Sequence, residues 1–215
     1  SGNIIFINDA GYNINLSGGK FYFQGYLHEQ KILQTNFATL TFGDVVVDKG
    51  YNWGVFLSNK NLTIAGNLPI ISGRLSCGND GWPTAWYNIN IGGNWTNQNF
   101  PDGFIPGSGK VIFDGTGAQS ITTSENFNTL EVNRTGAISI NSAGTNVTCN
   151  SYNWISGGLE VLNGATFTAL DLAQQGLFGS YRVNAGSTLN LYQDNTQWVD
   201  LDADVFFDGG GTINV

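Results

Sequence analysis

Residues 159–169, LEVLNGATFTA, and residues 181–191, YRVNAGSTLNL, align without a gap. Val161 falls on Val183, Gly164 on Gly186, Thr166 on Thr188 and Phe167 on Leu189, each pair 22 apart. Within both segments apolar and polar residues alternate, which on a strand sends one set of side chains inward and the other outward. Extending the register outward gives Val147, Phe167, Leu189 and Ile213, at steps of 20, 22 and 24. A near-constant step in the low twenties is the length of one coil of a β-solenoid, with two or three short strands and tight corners. One coil cannot bury its apolar face alone. Stacking places those four residues in one inward column, where burial is worth roughly 1.5–3 kcal/mol per side chain.

The alternative is an antiparallel β-sandwich, because short strands every 8–12 residues suit it too and Asn163-Gly164 is a hairpin signal. Two features favour the solenoid. The corner recurs one step later as Asn184-Ala185-Gly186, and a sandwich has no reason to repeat at 22 residues. Long helices are not expected, since Gly or Asn interrupts nearly every window; Ala169–Gln175 is the best exception.

A coarser repeat overlies the fine one. Residues 19–42, GKFYFQGYLHEQKILQTNFATLTF, match residues 109–132, GKVIFDGTGAQSITTSENFNTLEV, at an offset of 90. Gly19 pairs with Gly109, Phe23 with Phe113 and Leu40 with Leu130. Residues 59–75 then resemble 144–160 at an offset of 84–85, with Leu62 over Val147 and Leu75 over Leu159. The expectation is an all-β, single-stranded parallel β-helix of about nine coils. It is one domain, 1–215, built from two related repeats, about 15–97 and 100–215.

Composition agrees with an ordered, strand-rich chain: 215 residues, 30 Gly, 13% aromatic and only 11% charged. A net charge of −8 argues against nucleic-acid or anionic-membrane partners, which need a basic face. No apolar run approaches the roughly 20 residues of a membrane-spanning helix. The opening SGNIIFIN lacks a basic leader and Met is absent, which reads as a mature or excised segment. Cys77 and Cys149 sit in alternating apolar runs and read as buried free thiols.

Residues 89–149, from INIGGNWTNQNF through VIFDGTGAQSI and FNTLEV to NVTC, resemble the repeat units of large secreted and surface proteins of Bacteroidota and related bacteria. Those units run GGNWTN, a Gly-Ser-Gly turn, VxFxGxGxQxI, FxNLxV and LTIxGxLxIxSGxL. The resemblance covers about two-thirds of the chain. It implies an adhesin-like β-helix at the bacterial cell surface or outside the cell, exported by a route that reads a C-terminal sorting domain. It brings no catalytic residues.

Candidate chemistry is sparse. His28, the only histidine, falls in a turn-like insertion and reads as a solvated turn residue. One His and two separated Cys do not make a zinc site, and neither metal nor cofactor is expected. Asp200, Asp202 and Asp204 alternate along VDLDADV, so a strand there carries three carboxylates about 6.6 Å apart on one face. They read as a solvated acidic face; Ca²⁺ would need six or more oxygens wrapped around it. The insertion GNDGWPTAWY is the most distinctive local feature. Trp82, Trp86 and Tyr87 offer rings to stack on sugars, with Asn79 and Asp80 to hydrogen-bond hydroxyls; the competing reading folds this loop back over a core edge. Asn-x-Ser/Thr sequons at Asn15, Asn61, Asn94, Asn133 and Asn146 follow from Asn at corners before Thr-bearing strands.

Three functions follow in order of preference. The first is a non-catalytic structural or adhesive module of a larger surface protein, with a glycan or other surface ligand and with flanking domains or partner chains at both ends. The second is a carbohydrate-binding module using the aromatic loop. The third is a polysaccharide lyase or hydrolase.

Overall fold

The computed structural model describes residues 4–7, 14–25, 29–35, 40–50, 53–58, 60–78, 85–173, 176–177, 179–193, 200–201 and 206–215. All regular structure among them is strand, and every ladder is parallel. The chain winds as a β-solenoid with three strand positions per coil. One face stacks Ile4–Ile7, Gln30–Thr35, Gly54–Leu57, Arg74–Ser76 and Phe104–Ile105. The second begins with Ile14 paired to Leu40. It continues through Leu62–Ile64, Ile89–Ile91, Lys110–Phe113, residues 129–132 and residues 151–154.

The third face is the longest. It runs through residues 20–25, 44–48, Leu68–Ser72, Trp95–Asn97, Gln119–Ile121, 138–140, 158–161, Ser180–Val183 and Phe206–Asp208. Late in the chain a further ladder joins residues 125–127, 146–149, Thr166–Ala169, Thr188–Leu191 and Thr212–Asn214. Phe104 of the first face and Phe127 of this ladder meet ring to ring at 5.9 Å.

The period of 22 is a physical register. Phe167 pairs with Leu189 and Val161 with Val183, and the column Val147, Phe167, Leu189, Ile213 is continuous. Val147, Phe167 and Leu189 are at most 1% exposed. The sandwich is excluded because its strands would pair antiparallel; among the described residues only an isolated bridge, Gly78 with Trp86, does so. Asn163 (φ 56°) and Gly164 (φ 79°) are left-handed, as the hairpin signal requires, but turn the chain into the next face. The Ala169–Gln175 run is not helical in its described part: Ala169 ends a strand and Leu172 bridges to Tyr152.

The second face stacks seven strands, giving about seven turns there, whereas the third stacks nine. The solenoid therefore makes about seven turns, fewer than the nine coils expected, although its third face carries nine strands. The second face stops at the Tyr152–Leu172 bridge, beyond which Gly176–Leu177 pairs with Asp200–Leu201 in a separate two-stranded sheet.

The coarse repeat maps onto faces unevenly. Leu40 and Leu130 both lie on the second face, but Phe23 is on the third while Phe113 is on the second. Likewise Leu75 belongs to the first face and Leu159 to the third. A step of 84–90 residues therefore repeats strand-and-turn units without repeating whole coils.

Corners are held by side chains reaching one coil along. Asp44 Oδ1 accepts from Asn67 N (2.8 Å), Asn67 Oδ1 from Asn94 N (2.9 Å) and Asn94 Oδ1 from Ser120 N (2.8 Å). At the preceding corner Asn61 Oδ1 accepts from Asn88 N (2.9 Å) and Asn88 Oδ1 from Lys110 N (3.0 Å). A corner N–H points along the coil axis, where a short Asn or Asp acceptor fits and a strand partner does not. This accounts for the Asn at two of the sequons, Asn61 and Asn94.

Candidate functional site

The aromatic loop is described in part. Asn79, Asp80 and Trp82 lie outside the described residues. Trp86 and Tyr87 are half-buried and pack against the core. Tyr87 N donates to Cys77 O (2.7 Å) and its hydroxyl to Ser58 O (3.2 Å). The indole of Trp86 lies against Gly107 (φ 50°), where an added Cβ would come 2.1 Å from the ring. This close approach requires glycine. The structure therefore brings Trp86 and Tyr87 together with Cys77 and Gly107 on a core edge, leaving each ring only partly available to a ligand.

The structure adds a group that the sequence reading passed over. Glu125 is 1% exposed and points inward in phase with Phe127. Its Oε2 accepts from Trp95 Nε1 and from Asn97 Nδ2, both at 2.9 Å, and its Oε1 from Asn126 N at 2.9 Å. Trp95 packs edge-on against Phe104 (4.7 Å) and Phe127 (5.1 Å), which closes the site to water. Burial pushes the carboxyl up to about 7, against the smaller downward pull of its three donors. Asn97 also ties down the following turn, since its Oδ1 accepts from Asn99 N at 3.0 Å. The signal was present in the alternation of Glu125, Asn126 and Phe127, which puts the acid on the Phe side.

A second inward polar group sits nearby on the third face. Gln119 Nε2 donates to Ile91 O (2.7 Å) and Gly93 O (3.1 Å), and its Oε1 accepts from Arg134 Nη1 (2.8 Å) and Gly115 N (3.0 Å). Arg134 Nη2 donates to Gly117 O (2.5 Å), so the guanidinium staples an exposed glycine loop to the coil.

Towards the chain end an outward row sets Arg182 between Glu160 and Asp208, 3.9 Å from each. It flanks a groove of about 250 Å³ lined also by Ala137, Ser180 and Tyr181. These pairs are largely solvated, so each contributes little. Asp200 opens a short strand, its side chain outside the described set, and Asp202, Asp204 and His28 also lie outside the described residues. Cys77 and Cys149 are buried free thiols. Burial pushes Cys77 up to about 12 and Cys149 higher still, so neither is a thiolate nucleophile near neutrality. Among the described residues no three His, Cys, Asp or Glu gather as metal ligands, and no helix is long and apolar enough to cross a membrane.

No protein-family model, curated protein or solved structure matches the chain.

Proposed function

We propose that the chain is a non-catalytic structural and adhesive β-helix module of a larger bacterial surface or secreted protein. The observation that supports this most is the nine-strand parallel ladder of the third face, clasped at its corners from coil to coil. A ladder of this kind resists bending because each coil is bonded to both neighbours through backbone and side chain alike. Outward residues are then held at fixed spacing and present a regular contact surface. Flanking domains or partner chains would cover the end strands Ile4–Ile7 and Thr212–Asn214. The extracellular setting follows from the resemblance of residues 89–149 to surface-protein repeats.

The test is to pull the chain between its ends and to assay bead-bound chain for retention under flow on polysaccharide and protein surfaces. Stepwise rupture, each step releasing about one coil, together with retention supports the reading. A single low-force event without retention contradicts it. Retention on glycans lost in Trp82→Ala/Trp86→Ala would replace it with a carbohydrate-binding module. Cleavage of acidic polysaccharides lost in Asp202→Asn would replace it with a lyase or hydrolase.

A further inference from the structure

We infer that the outward side of the last ladder is an ice-binding face. The inference rests on the adhesive reading above and names its partner.

Behind the array the inward residues Val147, Cys149, Phe167, Ala169, Leu189 and Leu191 are apolar and at most 1% exposed, with Ile213 packed partly buried against them, which fixes the outward residues from behind. Thr166, Thr188 and Thr212 stack in register in one outward column. Two residues along each strand, Thr148, Thr168, Asn190 and Asn214 stack in a second. Parallel-strand geometry spaces the columns ~6.6 Å apart and the rows ~4.8 Å apart. Half-exposed Leu170 and Tyr192 border the second column.

Three properties of this array select the partner. First, it carries no charge, although the chain as a whole is −8. Ionic side chains hold their own water shells and would repel solute or crystal surfaces of like sign; a neutral face complements a neutral lattice. Second, the array is rigid before contact. β-Branched Thr on a strand has few rotamers, and Asn190 Nδ2 donates to Thr168 Oγ1 (3.0 Å) while Asn214 Nδ2 donates to Asn190 Oδ1 (2.7 Å). Little side-chain entropy is left to lose on binding. Third, it is periodic in two dimensions and lies on a sheet face. A single soluble sugar is held by converging polar groups in a concave site. A repeating neutral face instead suits a repeating neutral solid. Rows of alternating hydroxyl and methyl groups can anchor ordered water, and hexagonal ice repeats its oxygens at steps close to the strand spacing.

The experiment freezes purified chain slowly onto a cold probe and measures uptake into ice, with the gap between melting and freezing points read in parallel. Wild type is expected in the ice fraction with a measurable gap. Thr188→Lys, at the centre of the face, should cut uptake by about tenfold or more, because its charge must be desolvated at the contact. Thr63→Lys, outward on the second face, should leave uptake unchanged. Circular dichroism of each variant confirms folding, and Thr166→Lys provides an independent substitution if Thr188→Lys does not fold. Exclusion of wild type from ice, or uptake unaffected by both face substitutions, overturns the inference. Exclusion from ice with retention on polysaccharide or protein surfaces overturns this inference alone; absence of both overturns the adhesive reading as well.

Discussion

The coils around Glu125 and those around Phe167 and Leu189 share one backbone geometry and fill it oppositely. In the later coils each strand sends two apolar side chains inward and two polar ones outward, so consecutive coils differ by little more than translation. In the two adjacent coils that carry Trp95 with Asn97 and Glu125, inward positions hold an indole N–H, an amide and a carboxyl, which satisfy one another across the coil boundary. Regular coils draw stability from apolar burial, and their buried titratable groups, the Tyr152 and Tyr181 phenols, are pushed up by burial and so stay neutral around pH 7. The polar pair of coils exchanges part of that burial for a fixed turn and becomes sensitive to proton concentration. The contrast shows that a solenoid tolerates inward polarity only where several coils supply the partners together.

The sharpest way to break the contrast is to hollow the regular region. Phe167→Ala removes a fully buried ring and should cost about 3–5 kcal/mol, read as a shift in the urea midpoint. A loss below about 1 kcal/mol would mean that the column is not the core.

Glu125 gives the next largest effect, with a defined sign. The Glu125 carboxyl titrates near 4.5 when unfolded and at about 7 when folded, so the folded state holds the proton more tightly. Its contribution is complete below about 4.5, declines as pH rises through 7 and then levels off, a span on the order of 3 kcal/mol. Glu125→Gln should flatten that part of the stability profile and be more stable than wild type at pH 8. An unchanged profile would place the acid in solvent.

Smaller still is the corner clasp. Asn67→Ala leaves Asn94 N without its side-chain acceptor and should cost about 1 kcal/mol by chemical denaturation. Arg182→Ala should change stability by no more than about 0.5 kcal/mol, and less at high salt, because its two ion pairs are solvated.

The fold was legible in Val147, Phe167, Leu189 and Ile213 because uninterrupted coils turn stacking directly into sequence spacing. It was less legible where loops enter. Leu62 pairs with Ile89 across 27 residues because the aromatic loop lies within that coil, so a fixed step loses register there. The coarse repeat was visible as sequence, yet its copies enter the ladders on different faces, as Phe23 and Phe113 show. Of the aromatic loop, Trp86 and Tyr87 are placed on a core edge, a position that Gly/Pro content alone does not distinguish from an exposed one. Glu125 is hard to place from sequence because a charged side chain ordinarily marks solvent, although its phase with Phe127 points inward. The outward Thr and Asn columns were hidden for a related reason: each residue is ordinary alone, and only the register between coils makes them an array.

The central claim, parallel coils stacked in register, is tested most directly by dipolar spectroscopy on spin labels at Asn126 and Asn214. Both are exposed, and they stand on one column through Thr148, Thr168 and Asn190, four strand steps apart. The account predicts a narrow backbone separation of about 19 Å. A broad distribution centred beyond about 30 Å would contradict it.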